Sequence, residues 1–198
     1  MGQAQAITVL AAQDLDAVAA PNRRSLLEIL LRLQWLLMIE NPSDRQGALD
    51  AMIEEEKRLA RSGQLHYVDM GLIIPPPLGD LDRVATLPTS ERALVQQAKK
   101  LVEAAKAANG VGPYVRWRQD TKYSHATVLL AAANAPAMSS RTLGRGVPPT
   151  WDDEFEALLM MLIGIVGYTL RLLVDDGVAK DSAGRFFDAF FDGIRRAV

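Results

Sequence analysis

The stretch Ala157 to Val174, ALLMMLIGIVGYTLRLLV, limits what this chain can fold into more than any other. It is apolar on every face and carries one charge, Arg171, so something other than water must surround it. At about 1.5 Å per residue, a helix over this stretch is roughly 27 Å long, just short of a bilayer's hydrocarbon core of about 30 Å. Its uncharged part, Ala157 to Leu170, is shorter, and such runs are more often buried core helices than spans. Asp152, Asp153, Glu154 and Glu156 precede it and Asp175 and Asp176 follow, with no Lys/Arg cluster to orient a membrane segment. Arg171 is still able to snorkel to an interface. Three surroundings satisfy the stretch, in order of preference: the protein's own core, a neighbouring subunit, or lipid. Thr150 with Asp153 marks the helix start, and Gly164 and Gly167 leave a shallow notch where another helix can approach.

A chain of 198 residues suits one domain, 1–198, with an internal connector over 75–88 and a loop over 136–149. Hydrophobic content of 49% with 23% charged residues is ordinary for a globular protein. A net charge of −2 gives no global attraction to nucleic acid or acidic lipid, so any such binding must be local. With no cysteine, disulfides, thiolate chemistry and Cys-based zinc sites are excluded. Ala6 to Ala12 lacks the basic flank of an export signal, and Ala6 stands where a myristoylation motif needs Ser or Thr. The expected location is cytoplasmic, or within an assembled particle.

Along the chain, Ala6–Leu10 reads as a short strand and Pro21 as a break. Ser25 and Glu28 form an S-x-x-E capping box ahead of a mostly apolar helix over Leu26–Ile39. Ser43 with Gln46 offers a second box, and an apolar stripe from Leu49 to Ala60 runs to Gly63 as the expected C-cap. Glu54 to Arg58 reads as a solvated face. Leu65–Ile74 reads as a strand, Pro75 to Pro77 as a rigid connector, and Thr89 or Ser90 to Ala108 as a helix stopped by Asn109-Gly110. Pro113–Gln119 alternates and reads as a further strand, followed by a helix through His125 to Asn134. The expected fold is mainly α: a helical bundle around one central apolar helix, with a minor two- or three-stranded β element.

Two features invite a functional reading. Arg116, Arg118 and Lys122 are interleaved with Tyr114, Trp117 and Tyr123, and the following loop adds Arg141 and Arg145. On a strand Arg116 and Arg118 point the same way, so they suit a phosphate backbone while the rings stack on bases. The simpler reading is a charged strand edge that deters aggregation. The second feature is the C-terminal helix over Ser182–Ala197, which holds four of the five Phe residues. Phe186, Phe187, Phe190, Phe191 and Ile194 make one stripe, which closes the protein's own core, docks on another subunit or, less in keeping with its mixed-sign polar face, lies on a membrane surface.

Catalytic signals are thin. His66 and His125 are the only histidines; on a strand Asp69 would face away from His66. The chain contains no G-x-S-x-G, H-E-x-x-H, P-loop or dinucleotide fingerprint, so no catalytic, cofactor or metal residue is named. The surplus of apolar helix favours a non-enzymatic structural or adaptor subunit of a larger, self-associating assembly. A virus particle (as a virion component) or a bacterial complex is a suitable setting, though no motif points to either. The alternatives are nucleic-acid or phosphate binding through 113–146, or a small enzyme whose site forms only in three dimensions.

Overall fold

The computed structural model describes residues 2–13, 16–71, 83–87, 91–124 and 154–197. These are mostly helical: α1 (Gly2–Ala11), α2 (Asp16–Met38), α3 (Pro42–Asp69), α4 (Arg92–Lys99), α5 (Leu101–Ala107), α6 (Val111–Ser124), α7 (Glu154–Asp175) and α8 (Lys180–Ala197). The chain gathers into two compact units, one formed by 1–34 with 109–198 and the other by 35–108. The boundary falls inside α2, between Gln34 and Trp35.

The expected β element is corrected, since no strand occurs among the described residues. Ala6–Leu10 lies in α1, where Ala4 and Ile7, three apart, are the buried positions. Ala and Gln on both sides of the β-branched AITVL run carry the helix through it. Leu65–Asp69 completes α3, and Pro113–Gln119 lies in α6 with its proline in the first turn, where a missing N–H costs little. Leu72–Ile74, the Pro75–Pro77 connector, the His125–Asn134 helix and the 136–149 loop lie outside the described residues.

Several punctuation marks also move. Pro21 sits within α2 without ending it. Ser25 is no cap: it is inside the helix and its hydroxyl donates to the Pro21 carbonyl at 2.9 Å, the i−4 bond available to a mid-helix serine. The cap of α3 is Asn41, whose Oδ1 accepts from the Ser43 N–H at 2.9 Å, with Pro42 at the first helical position. Gly63 is passed over, and α3 ends instead before Gly71, at φ +70. The expected stop at Asn109 is found, with that residue at φ 53, a conformation asparagine tolerates. The helix before it is divided by an extended Lys100 (φ −120, ψ 107) into α4 and α5.

In the first unit, Ala4 and Ile7 of α1, Ala19, Leu26 and Leu27 of α2, and Leu158 and Met161 of α7 form one buried cluster. Leu30, Trp117, Leu162 and Ile165 pack against it. Gly164 belongs to this contact, because a Cβ there would lie 2.8 Å from Leu30 Cδ1. A Cβ at Gly167 would meet nothing within 4 Å. The second unit packs α3 against α4 and α4 against α5. Its core holds Trp35, Leu36, Ala48, Leu94 and Leu101, and the Trp35 indole N–H donates to Gln97 Oε1 at 2.8 Å. Buried Arg45 closes α2 by donating to the Ile39 carbonyl at 3.2 and 3.0 Å, a cation at a helix C-terminus.

Among the described residues α7 is half-buried along most of its length rather than enclosed on all sides. Only 17% of the apolar window in Ala157–Asp175 is buried. Leu158, Met161 and Val166 are buried, whereas Met160 is 62% exposed. The reason is geometric: α1 and α2 supply apolar side chains to one side of α7. Past Asp175 the chain turns through Gly177, at φ +91. There the Gly177 N–H donates to the Val174 carbonyl at 3.1 Å and the Val178 N–H to the Leu173 carbonyl at 2.8 Å. This paired cap brings α8 back onto α7.

Candidate functional site

The basic, aromatic stretch that sequence reasoning singled out is helical, which changes its chemistry. Two residues apart on a helix is about 200° of rotation, so Arg116 and Arg118 no longer share a face. Arg116 is half-buried and Arg118 is exposed. The paired grip on a phosphate backbone that a strand would provide is therefore gone. Lys122 lies on α6, although its side chain is not described, and Arg141 and Arg145 lie outside the described residues.

What α6 builds instead is a buried charge node. Arg23 of α2 donates from Nε and Nη2 to Asp120 Oδ1, at 3.3 and 3.2 Å, and the two side chains are 1% and 0% exposed. Burial pushes the Asp120 carboxyl above its ordinary value, opposed by the neighbouring Arg23 and, more weakly, by Arg116. Beside it, the Arg24 guanidinium lies over the Trp117 ring at 5.0 Å from the centroid, and Tyr114 stacks on Trp117 at 5.7 Å and 19°. The Trp117 ring, which on a strand would be offered to a base, is engaged by the protein's own Arg24 and Tyr114. Sequence reasoning missed Arg23 and Arg24. The available signal was a pair of arginines beside the apolar segment of α2, a charge that must find a partner when buried.

A second arrangement lies wholly in the other unit. The positions read as a solvated face do not all stay in water: Lys57 is buried and donates both to Glu54 Oε1 and to the Val84 carbonyl, each at 2.9 Å. The Thr86 hydroxyl also donates to Glu54, and the Leu87 N–H donates to Asp50 Oδ2 at 3.0 Å. Residues 83–87 are thereby pinned along α3. The hydrogen bond from Thr86, then the hydrogen bond and charge of Lys57, hold the Glu54 carboxyl below its ordinary 4.5. Next to this seam is a cleft of about 620 Å³, bordered by α3 from Asp50 to Leu65, by Val95 and Lys99 of α4, and by Leu87.

No catalytic constellation appears among the described residues. His66 lies on α3 with Asp69 rather than on a strand, its side chain is not described, and His125 lies outside the described residues. Among the described residues, no three His, Asp or Glu side chains gather as a metal ion requires. The Phe186, Phe187, Phe190, Phe191 and Ile194 stripe is on α8; of these side chains only Phe187 is described, at 37% exposure. No family model, curated protein or solved structure matches the chain.

Proposed function

We propose that this protein is a non-enzymatic structural or adaptor subunit that works through self-association, with the half-buried flank of α7 around Met160 and Leu173 as its principal contact. The observation that carries this is the small buried share of α7, 17%, in a helix apolar enough to cross a membrane by length and composition. Leaving such a flank in water forfeits about 25 cal/mol for each Å² of apolar surface, so a covering partner is strongly favoured. Protein suits the role better than lipid, because the Leu158 and Met161 side already meets α1 and α2 and Gly164 admits Leu30 closely. A second copy of the chain brings the same apolar flank, which makes the pairing self-complementary.

The test is mass in detergent-free buffer, by light scattering, for the native chain and for Met160→Glu with Leu173→Glu. A defined oligomer that the double variant disperses supports the reading. A monomer for both refutes it, and solubility only in micelles would favour a membrane helix instead.

A further inference from the structure

At the node between α2 and α6 the Trp117 ring is engaged through its face, but its N–H edge is not. Arg24 Nε and Trp117 Nε1 are both buried, and neither finds a hydrogen-bond acceptor among the described residues. A buried donor in that position has given up its hydration for nothing, so folded proteins keep few of them. Here two stand together, because the Arg24 guanidinium lies over the Trp117 ring at 5.0 Å from its centroid. Guanidinium and indole N–H groups can only donate, so neither can satisfy the other.

The local charge says what kind of acceptor they need. Arg23 and Arg24 are adjacent on α2 and diverge by about 100°, so one reaches Asp120 while the other covers Trp117. Asp120 is therefore committed to Arg23. Glu28, one turn on from Arg24, pairs instead with Arg32 at 3.7 Å. The charge of Arg24 is left to the ring alone, and Arg116, which acts on Asp120 from the same helix, adds further positive potential. A water molecule accepts from both donors but leaves that charge uncompensated, whereas an oxyanion does both, and its geometry matches a guanidinium. Arg24 and Trp117 are each half-buried as whole residues, so the site is shallow enough for a single ion to enter. A polymer backbone has no such access to atoms this enclosed. We infer that Arg24 and Trp117 hold a small oxyanion, a phosphate or carboxylate group, between α2 and α6. It fastens α2 to α6 beside the Arg23–Asp120 pair, and it does not depend on how copies of the chain associate.

The chain has three tryptophans, whose indole N–H groups can be followed by NMR. Trp35 is the internal control, because its N–H already donates to Gln97. Sodium phosphate titrated into the full-length chain, with chloride holding ionic strength constant, should move the Trp117 signal, identified through Trp117→Phe. The Arg24 Nε–H signal should follow the same saturable curve while Trp35 stays still. Acetate run in parallel separates the sources: a response to phosphate alone assigns a phosphate group, and a response to both assigns any small oxyanion. By calorimetry, Arg24→Gln should weaken binding at least tenfold. Trp117→Phe keeps a ring under Arg24 and loses only the N–H, so it should weaken binding about fivefold. Unchanged helical circular dichroism in both variants separates a lost contact from a lost fold. Linear drift of all three indole signals with either anion, or unchanged affinity in Arg24→Gln, would overturn the assignment and leave water as the acceptor.

Discussion

The two units of this protein hold their carboxylates in opposite ways. In the first, Asp120 is fully enclosed and faces Arg23 of α2, with Arg116 a weaker favourable charge, so its own charge depends on guanidinium groups held in place by the fold. In the second, Glu54 stands in solvent and gathers Lys57 and Thr86, while buried Asp50 accepts from the Leu87 N–H and from Gln46 Nε2 at 2.9 Å. An enclosed pair is close to all-or-none, because removing one member strands a charge where water cannot reach it. A seam of partly exposed contacts is graded, because water replaces whatever is lost. The first unit should therefore fail abruptly at one residue and the second yield by degrees.

The strongest way to test that contrast is Asp120→Ala, which should lower stability by about 3–5 kcal/mol by leaving Arg23 buried without its carboxylate. Denaturant melts provide the check, and a loss under about 1 kcal/mol would mean water reaches the node. In the second unit, Trp35→Phe removes the indole N–H that Gln97 accepts and should cost about 1–2 kcal/mol, a smaller and more local effect. Within α7, Gly167→Ala should raise helix stability by about 1 kcal/mol in dilute solution, because nothing crowds its Cβ. Gly164→Ala should gain less, since Leu30 must move aside, and equal gains would show that α2 is not so close.

The smallest effect is a difference in sign with pH. The Glu54 carboxyl is held below 4.5, so its contribution is present above that value and fades as pH falls through its lower folded value. The Asp120 carboxyl is raised above 3.8, so the folded state takes up a proton before the unfolded one does. Acidification through that interval stabilises the first unit through this group, and rising pH withdraws the gain. Carboxyl carbon shifts followed by NMR should show Asp120 titrating above its ordinary range and Glu54 below it. Matching titrations would erase the contrast.

Much of the helical architecture was legible, and the reasons for the misreadings are local. The wholly apolar helix and the stop at Asn109 both follow from patterns that a few neighbouring residues determine. Ala6–Leu10 and Pro113–Gln119 were misread because alternation over so few residues also fits a helix that buries every third or fourth position. Gly63 has the composition of a stop, yet α3 runs through it, because one helical glycine costs only roughly 1 kcal/mol. The Arg23–Asp120 node was out of reach for a different reason: its members are 97 residues apart, and no local spacing connects them. The cleft between α3 and α4 was hidden likewise, since its α3 stripe is visible in sequence but Leu87 and Lys99 reach it only through the fold.

Met160 offers the most direct measurement of the central claim. It is 62% exposed on α7 in the single chain, and a thioether so exposed is readily oxidised. Peroxide footprinting in detergent-free buffer over a range of protein concentrations should show Met160 reacting freely when dilute and becoming protected as copies associate. Oxidation of Met160 at the same fast rate at every concentration would show that no second copy covers this flank, contradicting the account.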